Sequence, residues 1–196
     1  EVLMANPHHV RARLNRITLS MLSEDVQSAL DDCDWLLMTY PALLLARLRR
    51  GEALIQHGIF DEAENEIRAV LETQPENEIA LTRLAACLLA QGRAEEAFIP
   101  LNTAMNLRPN FPEAYYQRAL LYLELEEADS ALRDFESTVL HDGRHLDALL
   151  RIAAIHHERE DYDKAESAWR RVLDAEPDNK LARRRMEEVT VALAKQ

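Results

Sequence analysis

Apolar residues along this chain recur at helical spacing in paired stretches, and the pairs return every 34 residues. Pro7, Pro41, Pro75, Pro109 and Pro177 stand 34 residues, or a multiple of 34, apart, and Gly143 puts a second kind of helix breaker in the slot left between them. With these breakers in register and no insertions, the chain divides into blocks 10–43, 44–77, 78–111, 112–145 and 146–179, followed by a tail at 180–196. Within a block numbered 1 to 34, position 20 is alanine five times: Ala29, Ala63, Ala97, Ala131 and Ala165. Position 3 is Ala12, Ala46, Ala80, Ala114 and Ala148, and Ala182 in the tail. Position 8 is small at Gly51, Ala85, Ala119 and Ala153, whereas position 24 is large at Ile67, Leu101, Phe135 and Trp169, with Cys33 the small exception. Small residues at fixed places let two helices approach closely, and large ones at other fixed places fill the space between them. The stretches HGIF at 57–60 and QGRA at 91–94 predict the turn inside a block. Each block therefore predicts a helical hairpin, and five hairpins in series predict a solenoid rather than a globular bundle.

These residues resemble the tetratricopeptide repeat (TPR) family. The 34-residue length, the small residue at 8, the alanine at 20, the large residue at 24 and the proline at 32 follow its pattern. AYYQRALLYLELEEADSALRDF at 114–135 is close to a family consensus, and the likeness extends over nearly the whole chain. The resemblance implies an all-α, right-handed superhelical solenoid of five hairpins, with the first block degenerate. Ser20 stands where an aromatic is common, Glu24 stands where the turn usually has Gly, and Pro100 interrupts the second helix of the third block. The tail KLARRRMEEVTVALAKQ is read as a capping helix over the last hairpin. In the same register EVLMANP at the start occupies positions 26 to 32, so residues 1–9 are expected to be the end of a further, upstream repeat.

Composition narrows the function. The chain has 23 basic and 35 acidic residues, a net charge of −12, which disfavours a general nucleic-acid binder that must neutralise phosphates. No apolar run approaches the ~20 residues of a membrane span, so no direct membrane insertion is expected. Cys33 and Cys87 have no metal-type spacing and are expected to be buried free thiols. The histidines form no HExxH arrangement, the glycines form no phosphate loop, and runs such as DEAENE at 61–66 fit a solvated helix face. No cofactor, no metal and no enzymatic activity are expected.

Twenty of the basic residues are Arg, and seven of them form two columns with different meanings. Position 7 is Arg at Arg16, Arg50 and Arg118, and sixteen residues on stand Asp32, Glu66 and Asp134. Where position 7 is apolar, at Leu84 and Ile152, the acid is absent, replaced by Pro100 and Ala168. This covariation predicts an ion pair joining the two helices of one hairpin. Position 6 reads Asn15, Arg49, Arg83, Gln117, Arg151 and, in the tail, Arg185. The family resemblance implies that first-helix positions 2, 5, 6, 9, 12 and 13 line a concave groove that takes extended peptides. Rungs of that column are expected about 10 Å apart, the spacing of packed helices. Arg holds a carboxylate through two hydrogen bonds and amides suit a peptide backbone, while Leu48 and Tyr116 at position 5 are expected to give apolar contact. The clamp that some family members use for chaperone tails is not expected. Its five positions read Leu14, Thr18, Arg49, Ile79 and Arg83 in one register and Thr82, Ala86, Gln117, Asp147 and Arg151 in another, and each keeps only the final Arg.

The expected function is thus a non-catalytic protein-interaction scaffold whose Arg-lined groove binds an acidic or extended segment of a partner protein. Three further readings stay open at this point: the scaffold portion of a longer enzyme or of a bacterial secretion or polysaccharide-export component, a self-assembling module, and a groove that binds an anionic polymer. The sequence leaves the compartment open between cytoplasm and bacterial periplasm.

Overall fold

A computed structural model of the chain describes residues 9–195. The expectation of an upstream repeat therefore falls, apart from His9, outside the described residues. Eleven α-helices and no strand occur among the described residues. They are α1 (Val10–Leu22), α2 (Val26–Thr39), α3 (Leu44–His57), α4 (Phe60–Thr73), α5 (Glu78–Ala90), α6 (Ala94–Leu107), α7 (Pro112–Glu124), α8 (Ala128–His141), α9 (Leu146–Glu158), α10 (Tyr162–Ala175) and α11 (Lys180–Leu193). Consecutive helices pack as hairpins: α1 with α2, α3 with α4, α5 with α6, α7 with α8, and α9 with α10. The chain forms two compact units, one ending at Leu107 and one beginning at Arg108. In the first, α3 packs on α2, α5 packs on α4, and α3 also touches α5. In the second, α9 packs on α8, and α11 packs on α10.

The repeating small and large residues explain the packing. The five alanines at position 20 are wholly buried, as are Ala46, Ala80, Ala114, Ala148 and Ala182 at position 3. Cys33, Ile67, Leu101, Phe135 and Trp169 at position 24 are buried beside them. Gly51 shows how close the approach is, because a Cβ there would lie 2.8 Å from Cγ1 of Ile67 and 3.4 Å from the Ala63 carbonyl oxygen. Gly51→Ala should therefore destabilise the first unit by about 1–2 kcal/mol, the overpacking cost exceeding the gain of about 1 kcal/mol in helix propensity. Thermal denaturation checks this, and an unchanged or higher Tm would show that the contact relaxes without cost.

The hairpin turns share one geometry despite different residues. Gly58 (φ 79°) and Gly92 (φ 74°) take the left-handed conformation, and at the corresponding places Glu24 (φ 60°), Glu126 (φ 59°) and Glu160 (φ 60°) take it too. The departure of Glu24 from the family pattern thus changes the residue and not the turn. A side chain with a Cβ pays roughly 1–2 kcal/mol for that conformation. Between hairpins, Asn77 and Asn179 cap the next helix by accepting from the N–H of Ala80 and Ala182, both at 2.9 Å. His145 does the same for Ala148 through Nδ1 at 3.3 Å. Pro100 lies inside α6 without ending it. It removes one backbone donor, so the carbonyl of Glu96 loses its partner four residues on.

All three expected hairpin ion pairs are present. Arg16 donates from Nε to Asp32 Oδ2 at 2.5 Å, Arg50 from Nη1 to Glu66 Oε1 at 3.1 Å, and Arg118 from Nε to Asp134 Oδ2 at 2.6 Å. Each runs from a first helix to the second helix of its own hairpin. Arg13 and Arg47, three residues before Arg16 and Arg50, donate to the same acids at 2.5 and 3.0 Å. Two Arg on one face therefore share one carboxylate in the first two hairpins, a doubling the sixteen-residue rule did not anticipate. Cys33 and Cys87 are free and buried, and burial pushes their thiols up to about 12 and about 11, so neither is a thiolate at neutral pH.

Candidate interaction face

The position-6 residues fall on first helices, and the two units divide them. The first unit holds Asn15 on α1, Arg49 on α3 and Arg83 on α5; the second holds Gln117 on α7, Arg151 on α9 and Arg185 on α11.

In the first unit, Arg49 and Arg83 converge. Arg49 Nη1 donates to Glu52 Oε2 at 2.7 Å and Arg83 Nε donates to Glu52 Oε1 at 2.8 Å. The two donor nitrogens thus stand within about 8 Å of each other, since each lies at hydrogen-bond distance from one carboxylate. The Glu52 side chain is 8% exposed, whereas those of Arg49 and Arg83 are 36% and 30% exposed. Asn15 is exposed on α1. Leu48 is buried in the core, because position 5 of this helix turns inward, and it offers no surface to a ligand. The exposed apolar side chains here are Leu45 (44%) and Ile79 (40%), each one helical turn before an Arg and so on the same side of its helix. Sequence reasoning missed Glu52, although an acid three residues after an Arg on a predicted helix is a legible pairing signal.

In the second unit, Tyr116 is half-buried, with its ring 5.7 Å from that of Phe135 and 4.7 Å from that of His145. Burial raises the phenol pKa, opposed by a hydrogen bond with the exposed Arg151. Gln117 donates to Glu113 at 3.1 Å, and Glu113 stands 4.0 Å from His145 Nε2. That carboxylate is the main reason the His145 pKa is raised. Arg185 donates to Glu188 at 2.7 Å. Every Arg of the column therefore has a side-chain partner on its own unit, and none is an isolated cation.

Among the described residues, no group of three or more His, Cys, Asp and Glu is placed to hold a metal ion. No helix there is long and apolar enough to cross a membrane.

The paired helices, the buried small residues between them and the polar first-helix face define a helical-hairpin repeat protein. A sequence model of the tetratricopeptide repeat matches residues 48–112 and 116–180, well over half of the chain, and the chain belongs to that family. It is similar to DnaJ homolog subfamily C member 3 of Homo sapiens, 30% identical over 92 residues that make up 47% of this chain and 18% of that protein. It is also similar to tetratricopeptide repeat protein 34 of Homo sapiens, 26% identical over 181 residues, covering 77% of this chain and 31% of that one. The chain thus spans less than a third of the length of either relative. In fold it is similar to a thermophilic TPR protein of Thermus thermophilus, with a TM-score of 0.81 at 16% identity, covering 93% of this chain and 99% of that one. It is likewise similar to the TPR protein YrrB, with a TM-score of 0.57 at 22% identity over 92% and 93%. TPR arrays act as protein-interaction scaffolds and are typically non-catalytic.

Proposed function

We propose that this chain is a scaffold whose first-helix faces bind an acidic, extended segment of a partner protein. In the first unit Arg49 and Arg83 take the partner's carboxylates, Leu45 and Ile79 give apolar contact, and Asn15 bonds to the peptide backbone. In the second unit Arg151 and Arg185 have the corresponding role, with Gln117 and Tyr116 beside them. The observation that supports this most is the Glu52 bridge. It holds two half-exposed guanidinium groups from successive first helices in fixed positions next to exposed apolar side chains. Arg in such a setting presents a planar fork matched to carboxylate geometry, and a fork already held in place loses less side-chain entropy on binding. The structural neighbour YrrB is described as having an unusual peptide-binding site, a ligand of the same kind.

The test is fluorescence anisotropy with a labelled acidic decapeptide that also carries leucine. Arg49→Ala with Arg83→Ala should weaken binding by about 10- to 100-fold, the worth of one or two hydrogen bonds to a charged group. Raising the salt should weaken the wild type further, as exposed charges are screened over about 10 Å at 0.1 M. An affinity that is unchanged in the double variant would refute the reading.

A further inference from the structure

Position 10 of the repeat is buried on every first helix but one. Ala53, Cys87, Leu121, Ile155 and Val189 occupy it on α3, α5, α7, α9 and α11, and none is more than 8% exposed. Leu19 occupies it on α1 and is 65% exposed. Leu22, one turn further along the same side, is 78% exposed. Ala12, two turns before Leu19, is only half-buried, whereas the alanines at its position on the later first helices are wholly buried. One side of α1 is therefore open. On α3, α5, α9 and α11 the preceding second helix packs against the first helix. Cys87 shows such a contact, its Sγ donating to the Phe60 carbonyl oxygen of α4 at 3.2 Å. Among the described residues no helix precedes α1. The last helix, α11, is closed differently. Arg183, Glu187 and Thr190 share one side of it and are exposed, a polar cap of the kind a repeat array needs for solubility. Leu19 and Leu22 give α1 no such cap. Joining α1 of one copy to α11 of another would bury those charges, so the open side of α1 is matched better by another α1.

We propose that α1 pairs with α1 of a second copy, antiparallel about a two-fold axis that passes between Leu19 and Leu22. Leu19 of one protomer then packs on the partner's Leu22, and the reverse, as a two-fold contact requires. The charges fit the same axis. Arg16 stands three residues before Leu19 and Asp25 three residues after Leu22, and both are exposed. The axis brings each Arg16 opposite the partner's Asp25, a match of opposite charges that also fixes the direction of pairing. The inference is independent of the acidic-segment reading, because Arg49 and Arg83 lie on α3 and α5. Sedimentation equilibrium of the full chain tests it. One helix from each copy buries less than the roughly 1,200 Å² of a standard interface, so a monomer–dimer equilibrium with a dissociation constant of about 10–100 μM is expected. Leu19→Glu should weaken it about tenfold or more, since a leucine is lost from both sides of the contact and a charge stands in its place. Helicity should be unchanged, because that side chain already faces water in the single chain. Raising the salt should also weaken the dimer, as the Arg16–Asp25 attraction is screened. A dimer that Leu19→Glu leaves intact, or one that tightens with salt, overturns the inference. A wild type that stays monomeric well above the expected dissociation constant overturns it too, and needs no variant to fold. The reactivity of the thiol introduced by Leu19→Cys then tells what holds the face instead: slow alkylation assigns the cover to residues of this chain itself, and fast alkylation assigns none.

Discussion

Arg118→Ala is expected to destabilise the second unit by about 3–5 kcal/mol, the usual cost of removing one partner from a buried ion pair. Asp134 is 5% exposed and accepts from Arg118 at 2.6 and 2.8 Å through both carboxylate oxygens. Without the guanidinium its charge is left buried. The Arg118 guanidinium also lies 6.0 Å from the Tyr115 ring and 5.8 Å from that of Tyr122, contacts worth a further few tenths to 1 kcal/mol. Removing both charges, Arg118→Ala with Asp134→Ala, should recover much of the loss, because no uncompensated charge remains. Exchanging them, Arg118→Asp with Asp134→Arg, should recover part of it. Urea denaturation followed by tryptophan fluorescence measures this, since Trp169 lies in the second unit and Trp35 in the first. A Trp35→Phe background then makes the signal specific to the second unit. Purely additive effects in this cycle would mean that the two residues do not act as a pair.

The two Arg columns differ in what lies beneath them. Asp32 and Asp134 are buried acids on second helices, so their arginines bridge the helices of a hairpin and their loss is felt as instability. Glu52 is a buried acid on a first helix, so it links two first helices and leaves the arginines half-exposed. The same chemistry thus ties the two helices of a hairpin together in one register and, one residue earlier in the repeat, ties successive first helices together.

Much of this organisation is legible in the sequence because a solenoid is made of local contacts. The hairpin pairs Arg16–Asp32, Arg50–Glu66 and Arg118–Asp134 appear as a sixteen-residue covariation, since each pair repeats one fixed geometry. The buried alanines appear because close helix approach admits no larger side chain. Four features did not appear. Glu24, Glu126 and Glu160 take the left-handed turn that Gly takes elsewhere, because the flanking helices impose the turn whatever residue stands there. Leu48 faces inward although Leu45 does not, since the boundary between buried and exposed depends on how far the helix is rotated against its neighbour. The joint hold of Glu52 on Arg49 and Arg83 crosses from one repeat to the next, and a rule confined to one block cannot contain it. The division at Leu107 also has no counterpart in the gap-free register of the blocks.

Trp169 gives the other large effect. It is 1% exposed, in a core with Ala153, Ile152, Val172 and Val189. Trp169→Ala should cost about 3–5 kcal/mol, from lost burial and the cavity left behind. Trp169→Phe should behave quite differently. The indole Nε1 is buried without a hydrogen-bond partner among the described residues, and a buried donor left unsatisfied costs about 1–3 kcal/mol. Phe removes that donor while keeping most of the ring, and Phe135 already fills the corresponding place one repeat earlier, wholly buried. The lost volume and the relieved N–H then offset each other, and the net change should stay within about 1 kcal/mol of zero. The edge-on packing of His157, with ring centroids 6.5 Å apart at 78°, survives in the Phe variant because it needs only an aromatic face. Urea denaturation followed by circular dichroism ranks the three proteins. Wild type and Trp169→Phe are expected to unfold at nearly the same urea concentration, with Trp169→Ala far below. A Phe variant as unstable as the Ala variant would mean that the indole N–H contributes a bond of its own, and that the tryptophan is held there by polarity rather than by size.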